Sequence, residues 1–336
     1  VRIELGEAPI ERITCLYIGR IGDVIVATPF LRALRKRFPK ARIRLIAGAR
    51  AAQVLPLIPF VDETAVLGRA LQIGAHLNLI ASLLREPCDL LVDLNSSFSK
   101  TSTMLARAAR GRVSLAFEKG RGPRVFNQTI PAPVEREHMS QRYERLAEAV
   151  GAPYGPDLEL RVPAAADAQA EKLLAPLIAS DPHAFRILVH PGNITRPPGF
   201  WPADRLHELC RRLQSDPTLR LFFLAGPGEL ETVQAIAADL PRPAPILPSA
   251  SLAVVGGMVK RMNLLVGSLT STTHLAAALG VPTFAFYEGY TQTVWRPRGA
   301  RHGGTVSAEW SGVASTTVDE AEAALKEHLA RLSPWI

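Results

Sequence analysis

Short apolar segments of strand length recur between helical patterns along the whole of this 336-residue chain, and the rhythm begins twice. Ile13–Ile18 is a β-rich run closed by the turn Gly19-Arg20-Ile21-Gly22-Asp23. The pattern after it predicts one helix running to Phe38, with Phe30, Leu31, Leu34 and Phe38 on one face and Pro39 ending it. Strands are expected at Ile43–Ala47 and Leu90–Leu94, and helices at Leu77–Leu84 and His138–Val150. Gly151-Ala-Pro-Tyr-Gly-Pro156 reads as a linker, following a Pro- and Gly-rich interval from Gly120 to Pro133. The second series has strands at Ile187–His190, Leu221–Ala225, Leu264–Val266 and Thr283–Tyr287. Its helices are Pro202–Leu213, Glu229–Leu240, Leu252–Arg261, Thr272–Leu279 and an amphipathic Val318–Leu332. Apolar strands alternating with helices require parallel sheets covered on both faces. The expectation is an α/β chain of two Rossmann-like domains, 1–155 and 156–336, with ligands beyond the carboxyl ends of the strands.

Composition removes other classes. At 47% hydrophobic the chain has ample material for two cores. The longest apolar stretch, Pro245 to Val259, is broken by Pro248 and Gly256-Gly257 and is too short to span a bilayer. The N-terminal Val1–Glu7 has no apolar signal core, which predicts a chain that is not exported. Cys15, Cys88 and Cys210 are odd in number and in no CxxC pair, which argues against disulfides and structural zinc. The net charge of +8 is concentrated: no acid lies between Asp23 and Asp62, where Arg32, Arg35, Lys36, Arg37, Lys40, Arg42, Arg44 and Arg50 crowd together. Such a run suits a phosphate-rich partner or an anionic membrane surface, and equally a solvated helix face. Phe38 is its one interleaved aromatic residue and no nucleic-acid motif accompanies it, so nucleic acid is not an expected partner.

Chemistry concentrates at three turns. Asp23 sits where a strand gives way to a helix, a place where aspartate serves as a cap and where a carboxylate can also take a proton from a hydroxyl. The Gly19-x-x-Gly22 spacing and the lack of an acid about 20 positions on fit a dinucleotide fingerprint poorly. So does Gly226-Pro-Gly228, where Glu231 stands in place of a third glycine. A nicotinamide enzyme is therefore a remote alternative. There is no GxxxxGK[ST] loop, HExxH, GxSxG or Asp-x-Asp, so any phosphate must be held by helix-start N–H groups, hydroxyls and basic side chains. The second half offers two such places. One is His190-Pro-Gly192-Asn193-Ile-Thr195-Arg196, leading to Trp201-Pro202; the other is Gly267-Ser-Leu-Thr270-Ser271-Thr272-Thr273-His274. The hydroxyls can also be plain capping residues, and His274 a core histidine.

Taken in order, these segments resemble glycosyltransferase family 9, the heptosyltransferases of lipopolysaccharide core synthesis. The opening Ile18-Gly-Arg-Ile-Gly-Asp-Val-Ile-Val-Ala-Thr-Pro is similar to that family's first block. His190-Pro-Gly with Trp201-Pro202, then Gly226-Pro-Gly-Glu229, His274-Leu-Ala-Ala-Ala-Leu-Gly-Val-Pro282 and Ala285–Gly299 follow in family order.

The resemblance implies a GT-B architecture, two Rossmann-like domains facing across a cleft, with the last helix packing back towards the first domain. It implies an inverting, metal-independent transfer, with no cofactor, from a nucleotide-diphosphate sugar such as ADP-heptose to a saccharide acceptor such as the lipopolysaccharide inner core. It places the first domain on the acceptor and the second on the nucleotide sugar, in the bacterial cytoplasm and peripherally at the inner face of the inner membrane. It puts the catalytic base on Asp23, with Arg20 and Gly22 in the acceptor-side turn. It puts donor contacts on Gly192, Asn193, Glu229, Thr270, Ser271, Thr272 and His274; the residues themselves add the Thr195 hydroxyl and the Arg196 guanidinium, which lies three residues before Gly199 and can stand in for the family's Lys. The sequence departs from the family at Leu269, where an Asp is usual, at Ser271, where a Gly is usual, and at Gly199, where a Lys is frequent. Those departures keep open a different nucleotide sugar, a non-lipid acceptor, or a non-catalytic sugar- or nucleotide-binding protein of the same fold.

Overall fold

The computed structural model describes residues 2–68, 73–120, 125–179, 181–192 and 200–332. The chain divides into two compact units, Val1–Leu158 and Glu159–Ile336.

The first unit opens with β1 (Arg12–Tyr17), α1 (Ile21–Val26), α2 (Thr28–Arg37) and β2 (Arg42–Gly48). A 3₁₀ segment, Ala49–Leu57, leads to β3 (Glu63–Leu67), α3 (Ile73–Arg85), β4 (Leu90–Asp93) and α4 (Lys100–Ala109). β5 (Val113–Phe117), β6 (Gln128–Ile130) and α5 (Met139–Ala149) complete it. Its sheet has the order β3-β2-β1-β4-β5-β6 with every pairing parallel. The chain starts in the middle, builds to one edge, then returns to build the other. That places a switch point between β1 and β4, where loops diverge and leave room for a ligand. β4 and β5 are buried throughout, as a sheet covered on both faces demands.

The single helix expected after Asp23 is two helices, and Pro29 is the reason. Proline has no N–H to offer the carbonyl four residues back, and its ring crowds that carbonyl. The orphaned group is the Ile25 carbonyl, and the Thr28 hydroxyl donates to it at 2.7 Å. The break falls at Ala27, so α1 is a short helix that carries Asp23 and buries Val24, Ile25 and Val26, while α2 buries Phe30, Leu31 and Leu34.

The basic run also differs from its linear appearance. Arg35 pairs with Asp62 at 2.5 Å, Arg42 and Arg44 both meet Glu63, and Arg32 donates to the Gly155 carbonyl. The segment is acid-free along the chain but not in space, because β3 and the turn before it bring Asp62 and Glu63 alongside β2. Much of it therefore serves the fold.

The second unit contains α6 (Ala164–Ile178), β7 (Phe185–His190), α7 (Ala203–Leu213), β8 (Leu219–Phe223), α8 (Leu230–Ala237) and α9 (Leu252–Val259). It continues with β9 (Leu264–Ser268), α10 (Ser271–Ala278), β10 (Thr283–Tyr287), α11 (Gly289–Trp295), β11 (His302–Val306) and α12 (Val318–Leu332). Its parallel sheet runs β11-β10-β9-β7-β8, with the switch point between β7 and β9. Trp201 is 1% exposed and stacks on Phe286 with ring centroids 4.2 Å apart. α12 lies against α7 and β11 and buries Ala321, Leu325 and Leu332.

At the start of β11, His302 is buried with Nδ1 3.0 Å from the Thr283 hydroxyl. Burial, reinforced by Arg301, His328 and Arg296, holds its pKa down to about 4 from 6.5. The imidazole is thus neutral when folded and takes up a proton more readily when unfolded. Its contribution is complete above pH 6.5 and is lost as the pH falls towards 4, up to about 3 kcal/mol in all. His302→Gln is expected to flatten the fall in urea midpoint across that window; an unchanged pH profile would contradict the assignment.

Candidate functional site

In the first unit, the carboxyl ends of β1, β2 and β3 frame a hollow of about 690 Å³ lined by Ile18, Gly19, Arg20, Asp23, Gly48, Ala49, Arg50, Leu67 and Gly68. Asp23 is not the cap of α1. Arg20 holds that position, and Asp23, three residues on, reaches back to accept the Arg20 backbone N–H at 2.6 Å. The carboxylate also lies close to Gly19: a Cβ there would come within 2.9 Å of Asp23 Oδ2, so the glycine leaves that oxygen room. Burial raises the Asp23 pKa above its usual 3.8, while the Arg20 N–H and guanidinium work in the other direction. The result is a half-buried carboxylate that is more basic than a free aspartate.

Behind it the Tyr143 hydroxyl donates to the Tyr17 hydroxyl at 2.8 Å. Burial, with Asp23 nearby, pushes both phenols up, so they stay neutral. The switch point is tied shut below by Asn95, whose Oδ1 accepts the Ile18 N–H at 3.1 Å. Asn95 Nδ2 in turn donates to Asp93 at 2.6 Å. Asp93 is fully buried and is held by Ser102 Oγ and Lys119 Nζ, each at 2.5 Å. The sequence reading named Arg50 only as part of the basic run, and it missed Asn95, Asp93 and Lys119. The signal for Asp93 was there: a charged residue at the end of the apolar run Leu90-Leu91-Val92 needs a buried partner.

In the second unit, Gly192 and the Thr270–His274 run lie on the two sides of the β7/β9 switch point. Gly192 follows β7 with φ +84°, and a Cβ there would press on the Phe200 ring at 2.8 Å and on Thr270 Cγ2 at 3.0 Å. That backbone conformation and that space admit only glycine comfortably. Gly267 on β9 faces the His190 carbonyl so closely that a Cβ would overlap it.

Thr270 caps α10, accepting the Thr272 N–H at 3.2 Å, while Thr273 Oγ1 accepts the Thr270 N–H and donates to the Ser268 carbonyl. Two of the hydroxyls therefore build the helix start. Ser271 and Thr272 are half-buried in the first turn of α10, beside N–H groups that favour an anion. His274 is buried, its ring centroid 6.3 Å from that of Trp295.

Glu229 accepts the Gly226 N–H at 2.8 Å and so holds its own turn, with Oε2 3.9 Å from His190 Nδ1. Burial lowers the His190 pKa, against the pull of Glu229, and Nδ1 meets the Leu224 carbonyl at 3.1 Å. Trp201 belongs to the frame: its backbone N–H donates to Ser268 Oγ and its indole N–H to the Thr316 carbonyl. Asn193, Thr195, Arg196 and Gly199 lie outside the described residues. Among the described residues no group of three or more His, Cys, Asp or Glu side chains converges.

Two parallel α/β units, each with polar groups gathered at strand carboxyl ends, are the makings of a GT-B glycosyltransferase, and solved structures agree on the fold. A glycosyl transferase family 9 protein from Veillonella parvula DSM 2008 superimposes with a TM-score of 0.84 at 19% identity, covering 96% of this chain and 97% of that one. The E. coli ADP-heptose lps heptosyltransferase II gives 0.78 at 19% identity, over 96% and 99% of the two chains. E. coli heptosyltransferase WaaC with ADP-2-deoxy-2-fluoro heptose gives 0.72 at 19%, over 94% and 99%. No curated protein matches. The chain belongs to glycosyltransferase family 9 (heptosyltransferase), whose model matches residues 76–323, and is a glycosyltransferase. Asp23 lies before the matched range.

Among the described residues no helix is long and apolar enough to cross a membrane.

Proposed function

We propose that this enzyme is an inverting heptosyltransferase that moves heptose from ADP-heptose to a saccharide of the lipopolysaccharide inner core, with Asp23 as general base. The observation that carries the reading is the half-buried, basic carboxylate of Asp23 at the rim of the hollow over β1–β3, with Arg20 and Arg50 beside it. Asp23 accepts the proton of the acceptor hydroxyl as that oxygen attacks the anomeric carbon. The glycosidic bond forms as the bond to the diphosphate breaks, and ADP leaves from the opposite face with inversion. Arg20 and Arg50 suit an acceptor that carries carboxylate or phosphate groups. The leaving charge falls to the second unit: N–H groups at the start of α10, the Ser271 and Thr272 hydroxyls, and Arg196. Gly192, Asn193, Thr195, Thr270 and His274 are assigned to the same donor, and Glu229 keeps its own turn.

A thermal-shift series with ADP, UDP, GDP and their sugars tests the donor. A ligand that binds only the folded state at a hundredfold excess over its Kd adds about 2.7 kcal/mol of apparent stability. ADP and ADP-heptose are expected to stand out, and a product of retained anomeric configuration would refute the single displacement. Leu269, where the family usually has an Asp, favours a second reading in which the nucleotide sugar differs. Stabilisation by another nucleotide sugar, without a response to ADP, would select it.

The pH profile offers a separate check. Activity is expected to fall on the acid side as Asp23 takes up a proton. The Arg20 charge favours the ionised carboxylate, so its removal raises the Asp23 pKa further. In Arg20→Gln the acid limb of kcat/KM is therefore expected to move to higher pH. A limb that stays in place, or moves down, would show that another group sets it.

A further inference from the structure

α3 carries leucines on two faces. Leu79 and Leu83 are buried against the sheet with Leu16, Ile46, Leu91 and Leu105, whereas Leu77 is 60% and Leu84 47% exposed. Two turns apart, Leu77 and Leu84 share the outward face. Beside them α4 turns Lys100, Met104 and Arg107 outward at helical spacing, with Met104 44% exposed and Phe98 41% exposed just before the helix. Leu84, Phe98, Lys100, Met104 and Arg107 line a groove of about 480 Å³. Neither α3 nor α4 contains an acidic residue, and neither Lys100 nor Arg107 is in an ion pair with another described residue. Large exposed apolar side chains scattered singly need no explanation, but four on one side of a unit, rimmed by cations, mark an interaction site. The arrangement is that of an interfacial surface, with apolar side chains to enter the acyl boundary and cations level with lipid phosphates.

We infer that the α3–α4 face of the first unit docks on an anionic phospholipid bilayer. The charge pattern selects this occupant, since a second copy of the same face would bring like charges together. The run Arg32–Arg50 is less available than it looks in sequence, since Arg35, Arg42 and Arg44 pair with Asp62 and Glu63. The inference agrees with a lipid-linked acceptor but does not rest on the sugar transferred.

The test is flotation of the purified chain with vesicles of phosphatidylcholine alone, or of roughly one part phosphatidylglycerol to three parts phosphatidylcholine. Binding is expected to the second kind only and to weaken with added salt. Lys100→Gln with Arg107→Gln is expected to weaken it roughly thirtyfold, from two phosphate-facing charges lost. Phe98→Ser with Met104→Ser is expected to cost about tenfold or more through lost insertion. All four positions are on the surface, so the melting temperature should hold. Asp23→Asn should bind vesicles as the unaltered chain does, which separates this surface from the proposed chemistry. The inference is overturned if the unaltered chain ignores anionic vesicles or if both double variants bind as well as it does. It is equally overturned if the chain sediments as a dimer that the Phe98/Met104 variant splits while vesicle binding persists.

Discussion

Asp23→Asn is expected to lower kcat by roughly 10³-fold, the middle of the range for a positioned general base, while the protein stays folded. The two properties separate because Asp23 does two things. One oxygen accepts the Arg20 N–H and fixes the first turn of α1. An asparagine amide has an oxygen that can do the same, so the helix start survives the change. What it lacks is a lone pair basic enough to take a proton from an alcohol. Asp23→Ala removes both and is expected to lower kcat similarly and to cost about 1 kcal/mol of stability besides, as the loss of a helix-start acceptor does. Single-turnover rates together with urea midpoints distinguish the cases. Near-unaltered turnover in a folded Asp23→Asn protein would reduce the carboxylate to a structural role and remove the proposed mechanism with it.

Asp23 could be picked out from the sequence because its setting is local: a strand, a glycine turn and a helix start in immediate succession. The turns after β7 and β9 were legible for the same reason, and the strands they follow ended within two residues of their predicted positions. Elements with weak patterns were missed. α6 is mostly alanine and polar residues and buries only Ala170 and Leu174, so no apolar stripe announces it. β11 contains two glycines, and β3 has no fully buried residue. The basic run is partly paired, for a reason that chain order hides. Its freedom from acid is a property of the chain, whereas Asp62 and Glu63 reach it only through parallel pairing of β2 with β3. The hydroxyl run divides: Thr270 and Thr273 build the helix start, whereas Ser271 and Thr272 are half-buried in its first turn and do not cap it. A sequence shows that hydroxyls are present, but only the backbone path shows which are already spent.

Lys119→Met should be the most damaging single change away from the reacting groups, at about 3–5 kcal/mol. Asp93 has no exposed surface and the Lys119 side chain is 8% exposed, so the ammonium is the counter-charge to a carboxylate cut off from water. Methionine fits the space but leaves that charge with neutral donors, the Ser102 hydroxyl and the backbone N–H and side-chain amide of Asn95. The strain should pass to the site through Asn95, which holds the Ile18 N–H at the mouth of the Asp23 turn. Pairing Lys119→Met with Asp93→Asn removes both charges and should recover much of the loss, because an amide can still accept from Ser102. Urea midpoints for the two single variants and the double variant close the cycle. Additive losses would mean that the two groups do not depend on each other. Recovery in the double variant, with turnover restored alongside stability, would identify the pair as the support on which the Asp23 turn is built.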